Sequence, residues 1–437
     1  MDEERPTAAI YAGSLAYTYE YCTVGVPTTP YTRWSFALLN EAYLTCPILV
    51  QHERVYLADS AGSFSALDAR SGKLLWSFAT DWVEHHENTS KNSYEGVKSF
   101  CLDGVRGYVL SARETLYELD LDTGVLLRSW DREVLADKGL EKYPYESYAF
   151  FSAEHSFDDY DPIECVFLYE NLLFIGTECQ VWRFDLTTEQ FAPETIPVGM
   201  RKCWSPLLYH GDDGSNDVIF GFIDSKVDTG VDGRFLAAAD CSLFGRLYPL
   251  VKMAERPFPR SYLWDVSGDF GNGIGNHRML LANNAFYALG WNHGWGEDAL
   301  VDDERDDGSD AFLFALDPHT SEILWHAPYD ASCALAAASH LLFVVNPLSG
   351  EVEAIDTLTQ QRCWKRGELG AVSHPLIADG LLFVFGREGQ MIALDVQTGA
   401  LRWKQHVEGE MIAAFNTIDD GTLFVATLHV LYALSAG

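Results

Sequence analysis

Along most of the chain, apolar residues either alternate with polar ones or form unbroken runs of four or five. Both patterns predict strands. Val55 to Phe78, VYLADSAGSFSALDARSGKLLWSF, shows the scheme. VYLAD is an apolar strand, Ser60 to Gly62 a small-residue turn and SFSAL a second strand. Asp68 to Gly72 make a tight turn, and KLLWSF alternates, with Leu74, Trp76 and Phe78 on one face. The Asp can accept turn amides and the Gly can take positive φ without a Cβ clash, so ALDARSG predicts a hairpin from its own chemistry. LLFIG at Leu172, LLFVV at Leu341, LLFVF at Leu381 and TLFVA at Thr422 are apolar on both strand faces, the mark of strands covered from both sides. Helical periodicity competes in one place, near Asp131 to Lys142.

The scheme repeats. Its words return at ELDLDTG (Glu118 to Gly124), FALDPHTSEILW (Phe314 to Trp325), EAIDTLTQQRCW (Glu353 to Trp364) and IALDVQTGALRW (Ile392 to Trp403). A Trp follows the Asp by eight positions at Asp68, Asp317, Asp356 and Asp395. Third strands end at Asp68, Asp120, Asp185, Asp240, Asp317, Asp356 and Asp395, and an eighth at Ser435. The last of these are spaced by 39, 39 and 40 residues, which fits the ~40–50-residue period of propeller blades. The sequence therefore predicts an all-β, eight-bladed β-propeller of four-stranded antiparallel blades, a single domain over 1–437. An N-terminal extension covers 1–30, and long rim insertions fall at about 80–97, 131–162, 252–276 and 291–310, with shorter ones at Pro197 to Pro206 and Asp224 to Gly233. The last blade stops at YALSAG, where its fourth strand should begin, while TRWSFAL (Thr32 to Leu38) reads like the fourth-strand word LLWSFAT. An N-terminal strand is thus expected to complete the last blade and close the ring. Blades two to four are degenerate: Trp130 comes two positions late, and RFDLTTEQF and AAADCSLFGRLY have no Trp.

VYLADSAGSFSALDARSGKLLW and LLFVFGREGQMIALDVQTGALRW resemble the PQQ-like (quinoprotein-type) β-propeller repeat. That repeat is found in eight-bladed quinoprotein alcohol dehydrogenases, in the β-barrel-assembly lipoprotein of the bacterial outer membrane and in sensor domains of some kinases. The resemblance runs from Tyr31 onward and speaks to fold rather than function. It implies that Trp34, Trp76, Trp325, Trp364 and Trp403 dock against the neighbouring blade. The family's enzymes carry a disulfide between adjacent cysteines over the cofactor, and this chain has no Cys-Cys. Neither their calcium ligands nor their catalytic Asp map onto it, so PQQ and calcium are not assigned and the cofactor and any metal stay open. There is also no C-x-x-C-H for haem and no G-x-S-x-G elbow.

Composition narrows the partners. At 48% hydrophobic and 13% aromatic residues the chain has ample core, which excludes disorder for most of it. A formal charge of −34 repels phosphate and anionic lipid, so no nucleic acid and no membrane insertion are expected. MDEERPTAAIYAG has acidic residues where a signal would be basic, and no run approaches a membrane span. Nine scattered cysteines without C-x-x-C suit reduced thiols. Together these predict a cytoplasmic protein.

The long insertions should gather at one mouth of the central channel, which makes that rim the expected pocket. The first holds Trp82 and the pair His85-His86 between Glu84 and Glu87; the second holds Glu154-His155 and Asp158 to Asp161. Trp264-Asp265 and Asn276-His277 flank the glycines of GDFGNGIG, which precede a strand and form no dinucleotide fingerprint. Trp291, His293 and Trp295 precede an acidic run whose Gly308 is out of phase with a calcium loop. His277, His155, His85 and Asp265 are the catalytic candidates, since His beside carboxylate suits acid–base chemistry. Trp82, Trp204, Trp264, Trp291, His293, Trp295 and Arg201 are the ligand-binding candidates, aromatics for stacking and Arg201 for charge. Ordinary polar loops, glycine turns and a solvated acidic loop are the plainer readings of the same residues. The expected function is a soluble protein that binds a small molecule or partner segment at this rim. The alternative is an enzyme in the same pocket, using His/carboxylate or metal-assisted chemistry in a biosynthetic pathway. A PQQ-dependent dehydrogenase and a pure assembly scaffold come behind both.

Overall fold

A computed structural model describes residues 20–21, 25–26, 30–39, 42–80, 96–140, 163–169, 171–177 and 180–191, the strands between 196 and 291, and 311–436 with short breaks. The words of the repeat become the strands Arg54–Ala58, Ser63–Asp68 and Leu74–Ala79, and Leu49–Gln51 precedes them to complete an antiparallel sheet. Four further sheets follow the same order: Val97–Leu102 to Leu126–Trp130, Ile163–Tyr169 to Gln190–Phe191, Ala334–Ala338 to Gln361–Arg366, and Leu376–Ala378 to Leu401–His406. We refer to these sheets by the residue that ends the third strand: Asp68, Asp120, Asp185, Asp356 and Asp395. The apolar runs are their second strands, and Leu381–Phe385 and Thr422–Ala426 are buried along their whole length, as the absence of alternation implied.

The closing sheet joins the two ends of the chain. Its strands Thr417–Asp419, Thr422–Ala426 and Val430–Ala436 are followed in space by Pro30–Ala37, paired antiparallel from Pro30↔Ala436 to Ala37↔Val430. The expected N-terminal clasp is therefore present. The only helix among the described residues, Arg132–Asp137, falls where helical periodicity competed and is capped by Asp131, whose Oδ1 accepts the Val134 amide at 2.8 Å.

Between Arg201 and Pro328 the ladder is continuous, ten strands in one sheet where the sequence predicts two blades. Asn216–Val227 and Ala239–Pro249 pair from Asp217↔Pro249 to Val227↔Ala239, and the single pair Leu263↔Trp291 links this half to the next. This corrects three insertion boundaries, one of them Pro197 to Pro206, inside which Arg201–Cys203 is a strand paired with Asn216–Val227. Leu263–Asp265 pairs with Ala239–Pro249 through Cys241↔Trp264 and Asp240↔Asp265, so Trp264 and Asp265 stand in a strand. Asp224 to Val227 likewise belongs to a strand. Ladder pairing satisfies backbone groups that a long loop would leave to solvent.

First strands meet in sequence. Leu49–Gln51 touches Thr417–Asp419, which touches Leu376–Ala378; contacts continue through Ala334–Ala338 and Met279–Ala282 to Leu207–His210 in the ten-stranded sheet. Arg201–Cys203 of that sheet touches Ile163–Tyr169, which touches Val97–Leu102. The circuit is completed by a buried seam in which Cys46, Leu49, Tyr56 and Phe64 pack with Val97, Phe100 and Leu102. The sheets are propeller blades with their first strands toward the axis.

The two ends of the ring differ. First and second strands are joined by tight hairpins with both residues at positive φ, as at His52-Glu53, Asn283-Asn284, Asp379-Gly380 and Asp420-Gly421. Third and fourth strands are joined by an Asp-led turn that ends at Gly72, Gly124 or Gly399 in three sheets and at Glu189 and Gln360 in the Asp185 and Asp356 sheets. Residues 80–96, 131–162, 228–238, 266–278 and 292–310 all connect a fourth strand to the next first strand, or a second to a third. Strand alternation sets both of those connections at one end.

Candidate functional site

The blades are held together by one recurring contact. A bulge in the fourth strand sets each Trp opposite an Ala of the third: Ala66↔Trp76, Ala315↔Trp325, Ala354↔Trp364, Ala393↔Trp403 and Ala433↔Trp34. The methyl leaves room for the indole, and the bulged residue accounts for the spacing of eight. Across the interface, Nε1 of Trp34, Trp76 and Trp364 donates to the carbonyls of Ala69, Leu121 and Val396 at 3.0, 3.1 and 2.9 Å. Each of these rings covers a Gly at positive φ on the next sheet: Gly72, Gly124 and Gly399. A Cβ there would lie 2.5–2.6 Å from the indole. The docking implied by the resemblance is thus observed for these three.

One interface uses charge instead. The third-strand position is Glu118, the residue opposite it is Arg128, eight after Asp120, and the Gly position of the next sheet is Glu189 at φ 53°. Arg128 Nε donates to Glu118 at 2.6 Å and its other nitrogen pairs with Glu189; Arg106 donates to Glu118 at 2.7 Å and Lys138 to Glu189 at 3.1 Å. Glu118 is 1% exposed. Hydrogen bonding from Lys138 is the main reason the Glu189 carboxyl lies below its usual range, with Arg128 adding to it. Trp130, two positions on, stands opposite Leu116 of its own sheet and meets Phe184 of the next sheet edge-on at 5.8 Å.

A second cluster lies at the end that carries the insertions, on the Asp68 and Asp120 sheets. Lys98, near the start of a first strand, is 6% exposed; its Nζ donates to the Ile163 carbonyl at 2.9 Å and lies 3.6 Å from Glu114 Oε1. Glu114, 1% exposed and at φ 62° in the turn after Ser111, pairs through its other oxygen with Arg132 of the helix. Asp59 of the preceding sheet accepts the Ser63 amide at 2.8 Å, and its backbone carbonyl receives the Val97 amide at 3.4 Å. Burial raises the Asp59 carboxyl, against the lowering effect of its hydrogen bonds. This arrangement ties the roots of two insertions, at 80–96 and 131–162, to a rigid base of satisfied charges. A single charged residue inside an apolar word, Lys98 in VKSFCL, is the sequence signal of this cluster, as Glu118 in LYELD is of the charged interface.

Of the sequence candidates, His277, His155, His85, Trp82, Trp204, His293 and Trp295 lie outside the described residues. Arg201 is in strand Arg201–Cys203 opposite Asp224; Trp264 and Asp265 are in Leu263–Asp265, and Trp291 ends Ala285–Trp291. Trp291 stands opposite Leu263, one position from Trp264, so those two candidates share a ladder junction. Among the described residues no three His, Cys, Asp or Glu side chains converge as a metal-binding group.

The family profile described as outer membrane protein assembly factor BamB, a PQQ-repeat family, matches residues 27–142 and 348–436. The chain carries PQQ-like propeller repeats. A curated relative, the outer membrane protein assembly factor BamB of Alteromonas naphthalenivorans, is 27% identical over 175 residues, 40% of this chain and 33% of the relative. The alignment thus spans about a third of that relative's length. Among solved structures, a europium-containing methanol dehydrogenase superposes with TM-score 0.60 at 13% identity, covering 99% of both chains. The Dos1 propeller gives 0.60 at 10%, covering 94% of this chain and 96% of its own. At such identities these PQQ-repeat and propeller likenesses establish the fold.

Proposed function

We propose that this protein is a binding propeller that receives a protein segment on the end carrying its long insertions. The reading takes the ten-stranded sheet as two joined blades, giving eight around the axis. The asymmetry of the ring carries it: one end is finished mostly by tight hairpins and Asp-led turns, while the five longest connections all leave from the other. Connections of that length on a rigid scaffold are commonly there to bind. Lys98, Glu114 and Arg132 at their roots satisfy one another, a support for loops rather than a reacting pair. The aligned relative is by name an assembly factor, which favours a protein over a small molecule as the occupant. A cytoplasmic setting belongs to the same reading, supported by cysteines without paired spacing, and cell fractionation tests it.

Replacing residues 81–95, and separately 141–162, by short Gly/Asn connections tests the binding role. The expected result is a melting temperature close to the parent's and loss of the copurifying protein seen by native mass spectrometry and cross-linking. A partner retained by both variants overturns the assignment, and a bound small molecule in its place redirects it to a ligand-binding or enzymatic role.

A further inference from the structure

The N-terminal segment also enters the ring. Glu20–Tyr21 pairs with Leu376–Ala378 through Glu20↔Ile377 and Tyr21↔Ala378, the only parallel pairing among the described strands. Leu376–Ala378 is a first strand, bonded on its other side to Leu381–Phe385, so the added strand lies on the axis side. It also touches Ala334–Ala338, the first strand of the neighbouring sheet. Three anchors hold it. Thr417 Oγ1, on the first strand of the closing sheet, donates to Tyr21 Oη at 3.3 Å. The Gly25 amide donates to Asp379 Oδ2 at 3.0 Å. Val26 is 2% exposed, in one core with Leu335, Leu376 and Ile377. Burial pushes the Tyr21 phenol up to about 12, and the partly buried residue packs against that same core. By Pro30 the chain has reached the outermost strand of the closing sheet.

The axis-facing edge of a first strand presents backbone groups that an incoming strand can pair, and side-chain pockets then select the sequence. We propose that the edge of Leu376–Ala378, with Thr417 and Asp379 at its flanks, is a docking site for an extended peptide. The peptide would carry a Tyr followed four residues later by a Gly and an apolar residue, and the chain's own Glu20–Tyr21 with Gly25 and Val26 occupies the site in cis. A tethered segment acts at an effective concentration of roughly millimolar, so it excludes weaker peptides until it is withdrawn. This site is separate from the decorated rim and does not depend on the rim's function.

The test compares the full chain with residues 27–437, which keep the closing strand. The probe is a fluorescein-labelled peptide of this chain's residues 17–29 with Cys22→Ser. By anisotropy, the truncated chain is expected to bind it at micromolar concentration and the full chain at least about tenfold more weakly. Tyr21→Ala in the peptide, or Thr417→Val in the truncated chain, should weaken binding several-fold. A truncated chain that melts cooperatively and ignores the peptide overturns the proposal, as does equal binding by the full chain. Should the truncated chain not fold, hydrogen exchange on the full chain decides. Amides of 20–26 should be protected, and in Thr417→Val/Asp379→Ala they should exchange at least about tenfold faster while other strands are unchanged. Exchange at 20–26 as fast as in the free peptide overturns it.

Discussion

The indoles of Trp34, Trp76 and Trp364 need space on two sides, a methyl group on their own sheet and a glycine at positive φ on the next. Gly72, Gly124 and Gly399 meet both demands, steric and conformational, so Gly124→Ala should cost about 2–4 kcal/mol, read as the shift in a denaturant midpoint. Gly380, with φ 75° and nothing near its absent Cβ, is the control: Gly380→Asn should cost under about 1 kcal/mol. The Glu118–Arg128–Glu189 seam solves the same packing problem with charge. Arg128→Ala leaves Glu118 buried with Arg106 alone and should cost about 2–3 kcal/mol. The triple replacement Glu118→Ala/Arg128→Trp/Glu189→Gly restores the repeat's usual contact and should come within about 1 kcal/mol of the parent or exceed it. Equal losses in the single and triple variants would show that the two solutions are not interchangeable. The repeat spacing pointed to position 128. What hid the substitution was Trp130 nearby, which invites a shifted register although Arg128 occupies the slot.

At the scale of elements, the Asp-led turns set a pH dependence. Asp395 is held down to about 2, first by the Arg402 hydrogen bond and then by Thr398. Asp68, Asp120 and Asp356 are also lowered, by bonds from Ser71, Thr123 and Thr359 respectively. A carboxyl lowered in the folded state adds stability that is complete above its unfolded value, near 4, and is lost as pH falls through the folded value. The melting temperature should therefore drop between about pH 4 and pH 2, and Asp395→Asn should lower it at pH 7 while flattening that drop, both read by calorimetry. The clasp strand is the other element with a separable effect. Trp34 is 9% exposed and bridges the closing sheet to Ala69, so Trp34→Ala should cost about 3–5 kcal/mol and raise proteolysis at both chain ends. The strands of regular blades were legible from alternation, apolar runs and turn chemistry. The merged sheet was not, because the pair Leu263↔Trp291 depends on long-range register that no local word encodes.

For the whole molecule, the repeat made the propeller readable and the closing strand could be matched by its wording alone. The sequence also directed attention to one end of the ring, and the strand order agrees. The charged base at Lys98, Glu114 and Arg132 escaped notice because its members come from a first strand, a turn and a helix that only the folded ring brings together. The axis strand escaped for a similar reason: two residues, Glu20 and Tyr21, carry no periodicity.

Pro30–Ala37 finds its partner in Val430–Ala436, synthesised about 400 residues later, at roughly 5–20 residues per second. On the ribosome, then, an early strand must wait tens of seconds for its ladder partner, and synthesis of Val430–Ala436, rather than growth of any single blade, becomes the event that locks the circle. Loss of Val430–Ala436 alone would leave every preceding blade intact and the circle still open, a fragility that amino-acid substitutions scattered through the body would not reveal.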